Sequence, residues 1–467
     1  MVLASPKLQP LMATLNTTHW APQSLALCRT SYSRKPGWQA FVPKHPKLVF
    51  FPGDTEPAWI YSDANKLDRE LAEKWGEQGD VEAFRTDEAR IVSFLQSVYV
   101  DATPPSIADA NRVLGETLTK LWISGSAKDL LDHYFTSERS KIFMAMTVTE
   151  SGPVSLSDPY SAFTLPMMDS GSIFGGYYGF VKGGIWQITE ELGKINAELG
   201  VKTHLSSKLV DVDAAKGNGT YEQAGSEYIL GFDYLILGTD PLTATRLVGN
   251  PEQIEKTEGQ RFRGSSGKLN LMFREPVRWK HGSDASDSDA AFRFMFAVSS
   301  LDEYEAATLK VLDTDVDYVP GYLQIYCEGA AMRQLNHDEP FDRLTVFFKN
   351  LSLREQGAEL PAVVSQVKEE LFEYIENPED CVWSRLLTPS DLQQLFHFPG
   401  GNLDHTMLTG AKHFLTERTP TIRQRASIVL GVWTTCIYVV LAPIPADRLP
   451  ERPATCAVNS CCVKRDC

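Results

Sequence analysis

The stretch that decides the fold opens as Gly179-Phe-Val-Lys-Gly-Gly-Ile-Trp186 and closes as Gly238-Thr-Asp-Pro241. Between these ends, Ile185, Ile188, Leu192, Ile195 and Leu199 recur at three- and four-residue steps, so they line one face of a predicted helix. Gly200 predicts its end. Val201 to Leu205 alternates apolar with polar, as a half-buried strand does. Leu209-Val-Asp-Val212 predicts a second strand, Gly217-Asn-Gly219 a turn and Tyr228-Ile-Leu230 a further strand. Tyr234-Leu-Ile-Leu237 is an apolar run suited to a buried sheet. Asp240-Pro241 supplies an N-cap followed by proline at the first helical position. Helix, strands and apolar run together predict one piece of an α/β domain.

Outward from this stretch, composition sets bounds. A chain of 467 residues has length for two or three domains. Its hydrophobic content of 43% and charged content of 22% are ordinary for a globular protein. The net charge of -15 argues against a nucleic-acid partner, because no basic excess exists to neutralise phosphates. Four of the eight cysteines, Cys28, Cys327, Cys381 and Cys436, are scattered. The other four, Cys456, Cys461, Cys462 and Cys467, crowd the end without zinc-site spacing. No Cys-x-x-Cys occurs, so a dithiol redox motif is not supported. The scattered cysteines read as reduced small hydrophobes, and no metal site is expected.

Towards the N-terminus, residues 1–31 precede the first acidic residue, Asp54, and carry Lys7 and Arg29 among hydroxyl residues. Such a leader reads either as a mitochondrial transit segment or as a short disordered tail, the latter leaving the chain cytoplasmic. Residues 32–170 read as mainly helical. Leu67, Leu71 and Trp75 share a face, as do Asp87, Ile91, Phe94, Leu95 and Val98, and Pro104-Pro105 breaks the pattern. Further helical patterns run through Leu114, Leu118, Leu121, Leu130, Leu131 and Tyr134. Towards the C-terminus, Gly267 to Phe273, Tyr322 to Cys327 and Leu344 to Phe348 predict strands of a mixed or antiparallel sheet. His281 to Asp289 predicts an exposed loop. Val364, Val367, Leu371, Tyr374 and Ile375 predict a covering helix. Thr388-Pro389-Ser390-Asp391 has the form of a capping box. His397-Phe398-Pro399-Gly400-Gly401-Asn402-Leu403-Asp404-His405 is a sharp turn carrying polar groups, where binding residues often sit. Ile428 to Ala442 is apolar but shorter than the roughly 20 residues needed to span a bilayer, so a core strand is expected rather than a tail anchor.

A resemblance joins these pieces. The runs YYGFVKGG, VKTHLSSKLVDVD and YLILGTDP, with the helix among them, resemble the middle of the FAD-dependent phytoene-desaturase-like oxidoreductases. The run LLTPSDLQQLFHFPGGNLDH, Leu386 to His405, resembles the pyridine nucleotide-disulfide oxidoreductase domain-containing branch of that family and its bacterial relatives. The resemblance covers roughly Tyr32 to Arg418, clearly in the quoted stretches and loosely elsewhere. It implies an FAD/NAD(P)-binding Rossmann-like domain with an interleaved α+β substrate domain of mixed sheet and helices. It implies FAD as cofactor and a small, apolar substrate. Along the chain it implies a substrate-side region over 32–170, FAD-domain residues over 171–265, a substrate-domain sheet over 266–385, a flavin-adjacent loop and helix over 386–418, and an atypical tail over 419–467.

The same resemblance implies site residues. Gly183 and Gly184 open a helix close to the flavin, whose free N–H groups suit a phosphate or the flavin's polar edge. Val210 matches a position whose backbone touches the adenine; read alone, it is an ordinary buried strand residue. Gly400, Gly401 and Asn402 form the loop beside the flavin. His405 could polarise substrate or move a proton there, or could serve only to hold the turn; His397 and His413 are weaker candidates. The sequence departs from the family in two places. No Gly-x-Gly-x-x-Gly turn, the family's pyrophosphate cradle, occurs in the chain. After Arg418 the family's closing Gly-rich segment does not follow. The expectation is thus an incomplete flavin domain. An FAD oxidoreductase is the first reading, a truncated non-catalytic remnant or interaction protein the second, and a carotenoid desaturase or isomerase a narrower third.

Overall fold

The structure is a computed structural model that describes residues 37–44, 47–100, 106–170, 179–232, 235–249, 251–258, 263–283, 287–313, 316–353, 360–403, 407, 426–433 and 436–443. Strands β1 (Ala40–Phe41), β2 (Lys47–Phe50) and β3 (Ala58–Ile60) come first. A helical block follows: α1 (Ala64–Trp75), α2 (Val81–Val100), α3 (Ile107–Leu114), α4 (Glu116–Thr119), α5 (Ala127–Tyr134), α6 (Glu138–Val148) and α7 (Thr164–Ser170). Asp63 caps α1 by accepting from the Lys66 N–H at 2.9 Å, and Gly76 in the left-handed region ends it. Ser106 and Ser126 cap α3 and α5 in the same way. Leu71, Trp75, Ile91, Phe94 and Leu95, picked out by periodicity, are buried. Buried Glu77 ties this block together by accepting from the amides of Gln78, Gly79, Thr136 and Ser137.

The middle of the chain holds β4 (Phe180–Val181), α8 (Trp186–Glu198), β5 (Ser207–Asp213), β6 (Asn218–Gln223), β7 (Ser226–Gly231), β8 (Leu235–Leu237), α9 (Pro241–Val248) and α10 (Pro251–Glu258). The last part holds β9 (Gly267–Phe273), β10 (Phe292–Phe296), α11 (Leu301–Lys310), β11 (Tyr322–Tyr326), α12 (Glu328–Gln334), β12 (Asp342–Phe348), α13 (Pro361–Phe372), β13 (Cys381–Leu387), α14 (Pro389–Phe396), β14 (Ala426–Trp433) and β15 (Cys436–Pro443). The chain is α/β in class. No helix among the described residues is long and apolar enough to cross a membrane.

Seven strands form the principal sheet, in the order β13-β9-β12-β11-β10-β2-β3. Every neighbouring pair is antiparallel except β10 with β2. Side chains alternate between the two faces, and each face meets a different layer. On one face Phe296 stacks on Phe51 at 4.7 Å and Phe294 meets Phe143 of α6 edge-on. On the other, Phe50 meets Tyr374, Phe348 meets Tyr318 and Phe273 meets Phe372 of α13. The helical block and α13 therefore sandwich the sheet. Its core includes Leu48, Phe292, Ile325, Val346 and Leu269, all at 0% exposure.

The stretch from 179 to 241 folds largely as read, with two corrections, the first that the run read as a buried strand leaves Ile236 63% exposed and only Leu237 buried. Gly200 stops α8, at a φ of 74°. Asp240 caps α9, accepting from the Thr243 N–H at 2.9 Å ahead of Pro241. Val201 to Leu205, however, is not a strand. Val201 and Leu205 are 51% and 56% exposed, so their alternation faces water rather than a core, and the strand begins only at Ser207. Strands β5, β6 and β7 make an antiparallel meander, and β8 pairs antiparallel with β15, which in turn pairs with β14. Parallel pairing, the mark of a Rossmann-like sheet, is found among the described residues only between β10 and β2, outside this stretch.

Candidate functional site

The Gly183-Gly184 turn is built between β4 and α8. The Gly184 N–H donates to the Val181 carbonyl at 2.9 Å, closing the turn. Its φ values are 77° at Gly183 and 121° at Gly184, in the region that glycine tolerates and side-chain-bearing residues avoid. The Phe180 ring, just before the turn, stacks on Phe292 of the principal sheet at 4.9 Å. The Gly183 N–H lies 3.3 Å from Met332 Sδ in α12. The Trp186 indole N–H donates to the Gly183 carbonyl at 2.9 Å, fixing the first residue of α8. No side chain caps the start of α8. The Gln187 and Ile188 N–H groups donate to the Gly184 and Ile185 carbonyls at 3.2 and 3.0 Å, and the positive end of the helix dipole suits an anionic or polar ligand edge.

Val210 sits half-buried in β5, where the pairing register with β6 shifts between Leu209 and Asp211. A shift of this kind leaves the extra residue outside the ladder. Its strand belongs to the antiparallel meander.

The Gly400-Gly401-Asn402 turn rests on the start of β9. The Gly264 N–H donates to the Gly400 carbonyl at 2.9 Å. A Cβ on Gly401 would lie 2.0 Å from the Pro389 carbonyl oxygen, and one on Gly264 would lie 2.1 Å from the Gly401 carbonyl oxygen. These glycines are needed for backbone to pack on backbone. Asn402 is 1% exposed, and its amide donates to the carbonyls of Ser151 at 2.7 Å and Arg263 at 3.4 Å. His397 ends α14 in the left-handed region, its N–H donating to the Gln393 carbonyl. His405 and His413 lie outside the described residues. The sequence candidates are thus seated on three supports: α12 for Gly183 and Gly184, the meander for Val210, and the start of β9 for Gly400 to Asn402.

One residue that sequence reading passed over stands out on the sheet. Lys268 is the second residue of β9, opposite Phe347 on β12 and Leu387 on β13. Its ammonium nitrogen is buried and has no hydrogen-bond partner. Burial is the main cause that pushes its pKa down, to about 7; Glu328 opposes the shift and Arg343 adds to it. The surrounding polar groups are engaged with one another. Lys349 Nζ donates to Ser266 Oγ at 2.8 Å. The Thr345 hydroxyl lies 3.2 Å from Asn270 Oδ1 and 3.0 Å from Glu328 Oε1. A lysine between Gly267 and Leu269, in a strand that alternates Lys268, Asn270 and Met272 with Leu269, Leu271 and Phe273, looks like a solvated strand face. Nothing in that local pattern marks it as buried.

Thiol chemistry finds no support on this face. The Cys327 thiol donates to the Ala291 carbonyl at 3.1 Å, and burial pushes it up to about 12, so it stays protonated. Cys327 and Cys381 are both free. Among the described residues, no group of three or more His, Cys, Asp or Glu gathers as a metal site.

No protein-family model matches the chain, and no curated protein matches it. Solved structures similar to the chain at low identity include two. The PF1083 protein of Pyrococcus furiosus is 13% identical with a TM-score of 0.43, over 80% of this chain and 74% of that one. A fatty acid isomerase from P. acnes, described as producing CLA, is 10% identical with a TM-score of 0.40, over 80% of this chain and 73% of that one. At these values neither likeness carries an argument about function.

Proposed function

We propose that the chain is an FAD-dependent oxidoreductase of the phytoene-desaturase-like class, acting on a small apolar substrate. The observation that carries this reading is the uncapped start of α8 behind the paired glycines Gly183 and Gly184. A Cβ on Gly183 would meet only the Gln187 side chain at 3.4 Å and, at 4.0 Å, Gln187 again and His337, so no backbone group crowds that position. The residues fit this part of the cofactor: Gly183 and Gly184 would let the backbone approach, and the positive end of the α8 dipole would favour a phosphate or the polar edge of the flavin. The bulged position of Val210 fits an adenine contact through backbone. Gly400 to Asn402 would wall the site from the start of β9, where their own hydrogen bonds hold them rigid. FAD, when bound, would supply the hydride-accepting chemistry. The chain would orient the substrate and exclude water. In this reading residues 171–265 and 386–418 form the cofactor side, and 32–170 with 266–385 the substrate side.

One observation favours a second reading, an interaction protein without catalysis. Leu192, Leu199, Val201, Leu205, Tyr228, Ile229, Leu230 and Ile236 are exposed large hydrophobics, and all fall between residues 192 and 236. Exposed apolar residues this frequent along one segment favour a surface that another molecule covers. A thermal melt with added cofactor separates the readings. An FAD-binding chain gains stability by RT ln(1 + [FAD]/Kd), roughly 2.7 kcal/mol at a hundredfold excess over Kd, and its midpoint rises with FAD concentration. A midpoint that does not move at millimolar FAD favours the interaction protein.

A further inference from the structure

We propose that Lys268 is a carbonyl-binding residue, its amine taking a small aldehyde or ketone as an imine on the sheet face between Phe347 and Leu387. The inference stands apart from the flavin reading and needs no cofactor. It begins with a contrast between two lysines on one face. Ser266, Lys268 and Asn270 alternate along β9, and in the ladder Lys268 faces Phe347 and Asn270 faces Thr345 of β12. Lys349, one residue past β12, is 3% exposed, and its ammonium donates to Ser266 Oγ and to the Glu150 carbonyl. Lys268 is also buried, at 8% exposure, yet its nitrogen meets no acceptor. Asn270 and Glu328 both lie within hydrogen-bond reach of the Thr345 hydroxyl, and Arg343 is 3.5 Å from Glu328.

An ammonium held this way is disfavoured, and the amine is the form the site stabilises. The free amine carries a lone pair, which is the nucleophile towards a carbonyl. Its ladder partners on both sides, Phe347 and Leu387, are apolar. The step balances without an oxidant or a metal. The nitrogen lone pair attacks the carbonyl carbon, the nitrogen gives up its two protons, the carbon–oxygen bond breaks and the oxygen leaves as water. The C=N bond remains.

The test treats the purified full-length chain at pH 7 with limiting acetaldehyde and cyanoborohydride, which reduces any imine to an ethylamine, and maps the ethyl group by proteolysis and tandem mass spectrometry. The expected result is ethylation of Lys268 at least tenfold faster than of the exposed Lys202 and Lys208. Between pH 7 and 9 the Lys268 rate should change about twofold, while exposed lysines, titrating near 10.4, gain roughly tenfold per unit. Unfolding the chain in urea should abolish the preference. Ethylation of Lys202 and Lys208 with Lys268 left bare, or a preference that survives urea, overturns the proposal. Neither outcome bears on flavin binding, which the cofactor melt decides separately.

Discussion

A lysine amine kept from water and from acceptors destabilises the folded chain wherever it is charged. Lys268 meets this condition, with its pKa pushed down to about 7 by burial. In the unfolded chain it titrates near 10.4. Between these two values the unfolded chain holds one more proton than the folded chain, so stability rises with pH across that window. Below about pH 7 the full cost is present, and above roughly pH 10 it is gone. Lys268→Met should therefore stabilise the chain at pH 7 by on the order of a few kcal/mol, because displacing a pKa by one pH unit costs about 1.4 kcal/mol. The wild type should gain on the variant as pH rises towards 10. Urea midpoints of both chains at pH 7 and pH 9.5 check this; a gap independent of pH would contradict it. Glu77 shows the opposite solution to the same problem. Burial opposes its ionisation, but hydrogen bonds from Thr136 and Gly79 outweigh that and hold its pKa below the usual value. Neither residue was legible in sequence, because which polar side chains are enclosed depends on strands and loops distant along the chain. Glu77 takes its bonds partly from Thr136 and Ser137, some 60 positions away.

At the scale of single elements, the signals that proved readable are those whose physics is local. Thr388 accepts from the Asp391 N–H, and the Asp391 carboxylate accepts from the Thr388 N–H, completing the capping box read from four consecutive residues. Thr388→Ala should cost about 1 kcal/mol, visible as a lower urea midpoint with unchanged slope; no change would mean that packing of α14 makes the cap redundant. Strands β9, β11 and β12 were legible for a similar reason, since short segments rich in apolar residues and bounded by turns need no partner to be recognised. Strand β10 was not. Its run Phe292-Arg-Phe-Met-Phe296 is buried throughout, and it pairs in parallel with β2, some 240 positions earlier. Val201 to Leu205 failed in the other direction: the alternation is present, but no sheet receives it.

For the molecule as a whole, the principal sheet and the helices on its two faces account for most of the buried core, and their class was foreseeable from the pattern of elements. The region around α8 and the meander is different. Its own core is small, with Val212, Leu237 and Ala244 at its centre, and between Leu192 and Ile236 it carries several exposed apolar side chains. In the function proposed above, a bound cofactor completes this region. The most direct test is the visible absorption spectrum of the purified full-length chain after equilibration with FAD and removal of unbound ligand. Flavin bands that remain with the protein, and that are released as free FAD on denaturation, are the predicted result. A folded chain that emerges colourless would contradict the account.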